Sequence, residues 1–97
     1  MIKVVVKKDL VEIKGHSNYD TLGKDIVCSA VSSIVTTTIN GIISIDEDAI
    51  SYEYKNDTMT ICVIKKDEIT IKLINNMIDL LKSLAKDYPK NISVKES

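Results

Sequence analysis

Apolar and polar positions alternate at the start of the chain. Val4 and Val6 share one parity, Val11 and Ile13 repeat it after Lys8-Asp9, and Glu12 and Lys14 take the opposite one. This period of two predicts a hairpin of strands over 2–8 and 10–15 with one face towards a core. Residues 16–23 break the pattern and read as a mobile loop, because Asn18 and Asp20 favour turns and the run ends in Gly23. From Lys24 the period changes: Val27, Val31, Ile34 or Val35, and Thr38 recur at three and four, with Ile26 and Ala30 beside them. That predicts an amphipathic helix stopping at Asn40-Gly41, with packing holding the threonine-rich last turn.

A short strand is predicted over 42–45, then an acidic turn at Asp46-Glu47-Asp48. Two further strands, 50–55 and 58–64, are joined at Asn56-Asp57. Lys66 or Asp67 opens a second helix whose stripe runs through Ile69, Leu73, Met77, Leu80 and Leu84, widened by Ile74, Ile78, Leu81 and Ala85. Tyr88-Pro89 ends it, and 91–95 reads as an edge strand. The order is β-β-α-β-β-β-α-β. The fold class expected is α+β: two layers, a mostly antiparallel sheet with two helices on one face.

Composition supports this. Ile, Val and Thr make up about a third of the 97 residues, which argues for a substantial sheet. The length suits one domain, 1–97, with one modest core and no room for a large enclosed cofactor cavity. Phe and Trp are absent, so the core is built from branched aliphatics. Net charge is −1 and every basic side chain is lysine, which counts against direct nucleic-acid binding. No leader is visible. The uncharged run 26–45 contains Ser, Thr and Asn throughout and reads as a buried helix running into a strand, with no membrane partner. Two cysteines without a CxxC, and a single histidine, form neither a disulfide scaffold nor an ordinary zinc site. Free thiols fit a reducing cytoplasm.

The segment that can carry chemistry is Gly15-His16, eleven further residues, then Cys28. His16 follows directly on a strand; Cys28 lies near the start of a helix. Unpaired amides and the positive helix end stabilise a thiolate, and an imidazolium lowers its pKa further. His16 can take the thiol proton and return it to a leaving amine. The plainer reading is also open, since Cys28 borders the apolar face of Val27 and Val31 and cysteine is often simply buried. Asp25 either caps the helix or orients His16 as a third site member. It does not activate Cys28, because a carboxylate opposes ionisation of a neighbouring thiol. Gly23 gives the loop room to turn into the helix and Gly15 gives a substrate backbone room near His16, though turn geometry explains both equally well. Ser32, one turn after Cys28, bonds inside the helix or towards a substrate. Cys62, between Ile61 and Val63, reads as buried and inert. Tyr52 and Tyr54 share one strand face, either as sheet packing or as the wall of a groove.

The run from Gly15 to Ser32, with Gly-His, then Gly-Lys-Asp-Ile-Val-Cys, then Ala-Val-Ser, closely resembles the signature of the bacterial ribosomal-processing cysteine protease family known as Prp. The resemblance implies a cytoplasmic, homodimeric cysteine endopeptidase. Its substrate would be a large-subunit ribosomal protein precursor, whose N-terminal extension is removed after an aromatic residue during ribosome assembly. The family nucleophile falls on Cys28, the histidine on His16 and the acidic residue on Asp25. Ser17 and Ser29 stand where many members have alanine, a small change. No metal or organic cofactor is implied. The alternative is a non-catalytic, ribosome-associated adaptor that holds a protein through a sheet edge or the 16–23 loop. A third, an RNA-binding module, would need a basic face.

Overall fold

The computed structural model describes residues 1–15 and 22–97, with the side chains of 22–25 outside the description. The elements run β1 (Ile2–Lys7), β2 (Leu10–Lys14), α1 (Leu22–Ile45), β3 (Ile50–Lys55), β4 (Thr58–Val63), α2 (Glu68–Asp87) and β5 (Ile92–Glu96). The sheet order is β3-β4-β2-β1-β5. Three strand pairs are antiparallel and only β1–β5 is parallel, so the expected α+β class with a mostly antiparallel sheet is what forms.

The tight turns follow from their residues. Asn56 and Asp57 both take positive φ, +51° and +68°, the left-handed pair a two-residue hairpin between right-twisted strands needs. Asp46 accepts from the amide of Asp48 at 3.0 Å and so shapes the acidic turn after α1. Asp67 caps α2 by accepting from the Thr70 amide at 2.8 Å.

Register assembles the core. Val4 pairs with Ile13, Ile13 with Met59 and Met59 with Tyr54; a parallel row runs Val6, Val11, Ile61, Tyr52. Directly paired residues point to one side, so both rows lie on the same sheet face. Val27, Val31, Val35, Ile39 and Ile42 of α1, with Ile74, Met77, Ile78 and Leu81 of α2, bury against that face in one cluster. Val6 and Met59 are partly buried, and the rows are most exposed at the outer strand β3, where Tyr52 and Tyr54 are 53% and 52% exposed.

Three expectations need correction. The strand expected at 42–45 is helix, so the order is β-β-α-β-β-α-β, and α1 passes straight through Asn40-Gly41. Glycine inside a helix costs about 1 kcal/mol, whereas burying Ile39 and Ile42 returns roughly 1.5–3 kcal/mol each. Packing decides, and α1 stops at Ile45, just before the acidic turn. The α2 stripe is rotated: Ile69 and Leu80 are exposed, while Thr70, Ile74, Met77, Ile78 and Leu81 are buried. Finally, α1 begins at Leu22, so Gly23 sits inside its first turn rather than before it. The mobility expected of the 16–23 loop concerns residues 16–21, outside the description.

Candidate active site

α1 supplies Cys28. Val27, Val31 and Val35 turn into the core, and the helix flank beside them, one step round, carries Cys28, Ser32 and Thr36 at successive turns. Cys28 and Ser32 are half-buried, and both have polar or electrostatic partners. Cys28 is the seventh residue of α1. It therefore lies in the second turn, one turn deeper than a helix-start position, and the helix end acts on it less strongly, since that field fades within the first turn. The amides without a helical partner belong to the first turn, ahead of Cys28.

β2 supplies the approach to His16. Gly15 closes the strand with φ of +81°, and a Cβ there would meet the carbonyl oxygen of Met1 at 2.7 Å. Glycine is required on both counts. Its amide donates to the Asp57 carbonyl at 3.0 Å, which ties the strand end to the β3–β4 hairpin. His16 and Ser17 lie outside the described residues. Asp25 is the fourth residue of α1, a first-turn position that suits a carboxylate.

Between the two elements lies a small apolar recess. Ile13, Val31, Ser32, Val35, Thr36 and Met59 line it. It brings the end of β2 against α1 one turn after Cys28, and Met59 leads across the register to exposed Tyr54. Ser32 and Met59 thus share one wall, which strand register extends to Tyr54 of the outer strand. Such a wall can seat an extended peptide with apolar side chains. Of the residues singled out in the sequence, Ser32 lines this recess; Cys28 sits one turn before it on the same flank of α1, and Gly15 is two residues past Ile13 at the end of β2. Met59, Ile13 and Thr36 were not singled out. The signal for Met59 is its register opposite Ile13, which a linear pattern does not display. Cys62 is half-buried, not buried, on the opposite sheet face, where it pairs with Leu10 and Ser51.

Comparison with known proteins identifies the family and the fold. The family model described as cysteine protease Prp matches residues 1–93. The ribosomal processing cysteine protease Prp of Mycoplasma pneumoniae is 32% identical over 99% of this chain and 95% of its own. That of Mycoplasma genitalium is 29% identical over 99% and 96%. The fold superposes on an essential ribosomal processing protease Prp from S. aureus, solved with a substrate peptide, with a TM-score of 0.90 at 20% identity over the full length of both chains. A second S. aureus structure, carrying a covalently linked product peptide, gives 0.88 at 21% identity, again over both full lengths. The chain belongs to the Prp family of cysteine proteases.

Proposed function

We propose that this cysteine peptidase cuts the N-terminal extension from a large-subunit ribosomal protein precursor, with Cys28 as nucleophile and His16 as proton carrier. His16 takes the thiol proton, and the Cys28 thiolate attacks the scissile carbonyl carbon. Amides around the start of α1 stabilise the tetrahedral oxyanion. His16 then protonates the leaving amine, the C–N bond breaks, and a thioester joins the extension to Cys28. Water, deprotonated by His16, attacks the thioester; the thiolate leaves and recovers its proton. Asp25 orients His16 or caps α1.

The observation that carries this reading is the position of Cys28, half-buried on the flank of α1 one turn before the recess residue Ser32, in a chain matched along residues 1–93 by a cysteine protease family. Both cysteines are free, which suits work in the reducing cytoplasm, and the family resemblance adds a homodimer. Direct nucleic-acid binding is not part of the reading, since no arginine is present.

The test is incubation with the full precursor beside a Cys28→Ala protein, following the precursor by mass spectrometry. Loss of the extension with the intact protein alone supports the reading. Equal trimming by both, or none by either, overturns it.

A further inference from the structure

Seventeen residues beyond Cys28, α1 ends in a second feature. Between that end and the start of α2 lies a groove of about 450 Å³, lined by Ile42, Ile45, Asp46, Glu68, Ile69 and their neighbours. Two of its side chains have no apolar cover: Ile45 is 60% exposed and Ile69 53%. Neither belongs to the core cluster, and both sit beside a dense set of carboxylates.

The charge around the groove is negative on balance, with five carboxylates at Asp46, Glu47, Asp48, Asp67 and Glu68 against the lysines Lys65 and Lys72 that pair with two of them. The last turn of α1 contains no basic residue to offset the partial negative charge of its helix end, and the partial positive end of α2 across the groove already carries Asp67 and Glu68. Asp46, Glu47 and Asp48 follow at once, and Asp67 and Glu68 stand on the opposite rim. Asp46 is paired with Lys65 and Glu68 with Lys72. Glu47, Asp48 and Asp67 form no ion pair among the described residues, and Lys66 is turned to Asp9 instead. An apolar floor with a negative rim fits a cationic segment carrying an aliphatic side chain.

We propose that this groove is a docking site for a basic, aliphatic-bearing segment of the substrate, on the mature side of the scissile bond. The inference rests on the ribosomal-precursor reading above. A protein that sits on ribosomal RNA neutralises phosphates with lysine and arginine, so its body supplies such segments. Spacing sets the reach. At 1.5 Å per residue, α1 separates Cys28 from Ile45 by about 25 Å. An extended peptide spans that in about eight residues. The groove therefore contributes only to substrates that continue at least that far past the cut.

Two synthetic peptides from one large-subunit ribosomal protein precursor test this. They are identical to about four residues past the scissile bond, and the longer one continues through the next fifteen or so. Binding to Cys28→Ala protein is followed by fluorescence anisotropy. The longer peptide is expected to bind about tenfold tighter at ~50 mM salt, with most of that advantage gone at ~500 mM. Replacing Glu47 and Asp48, both exposed turn residues, by lysine is expected to cost the longer peptide about fivefold in affinity. Ile45→Ser with Ile69→Ser removes the part of the advantage that survives salt. Equal affinity of the two peptides, or an advantage untouched by both pairs of substitutions, overturns the docking site. If the intact enzyme cleaves neither peptide, the protease reading fails, and the binding comparison still decides the groove.

Discussion

The amide of Gly15 donates to the carbonyl of Asp57 at 3.0 Å, so the residue before His16 is fastened to the β3–β4 hairpin. Its other side faces the Met1 carbonyl, too close for any side chain. Backbone at three points of the chain thus fixes the end of β2.

Gly15→Ala consequently meets two penalties, a positive φ and a backbone clash at 2.7 Å. We expect a loss of about 2–3 kcal/mol in urea unfolding, with peptidase activity falling alongside. An alanine protein of undiminished stability would contradict the required close approach.

Gly41 is the opposite case. It lies inside α1, and a Cβ there would meet nothing within 4 Å. Gly41→Ala should raise stability by about 1 kcal/mol without altering activity, read from the urea midpoint at constant m-value. A lower midpoint would show that the helix does not continue through this position as described.

The ion pair between Asp46 and Lys65, 2.9 Å long, links the turn after α1 to the segment after β4. The hydrogen bond from Lys65, helped by the Asp48 amide, holds the Asp46 carboxyl below its usual range. The same bond raises Lys65 above its own. A depressed acid stabilises the fold above its unfolded pKa, near 3.9, and loses that contribution as pH falls through the folded value. A raised lysine contributes fully below about 10.4 and loses it as pH climbs through the folded value. Asp46→Asn should therefore lower the melting temperature slightly across about pH 5 to 9, with the gap closing in acid as the carboxylate takes up its proton. Because the pair is solvent-exposed, salt should shrink the gap as well. A gap that persists in acid would assign the effect to something other than the ion pair.

How much of this was legible in the sequence depends on which force decides each element. The β1–β2 hairpin and the Asn56-Asp57 turn are settled by local chemistry and legible in the sequence, and of the two residues that could open α2 the structure selects Asp67. Asn40-Gly41 carries a local stop signal, because glycine readily takes the left-handed conformation that ends a helix. The burial of Ile39 and Ile42, which overrides it, is visible only once α1 is set against the sheet. The α2 stripe was rotated for a related reason. Ile69 and Leu80 fit the helical period as well as Thr70 and Leu81 do, and only the angle of docking chooses between them. Of the residues lining the recess, Ser32 is legible from its spacing after Cys28, whereas Met59 is brought there by strand register.

The central claim is that His16 keeps Cys28 ionised and ready to attack. Its most direct test is the rate of alkylation by iodoacetamide at each cysteine, followed by mass spectrometry from about pH 5 to 10, with Cys62 in the same molecule as reference. The account predicts that Cys28 reacts with an apparent pKa well below the ordinary thiol value of about 8.5, and that His16→Ala returns it to that value. An unperturbed Cys28 in the intact protein, or a depressed value that survives loss of the imidazole, would contradict it.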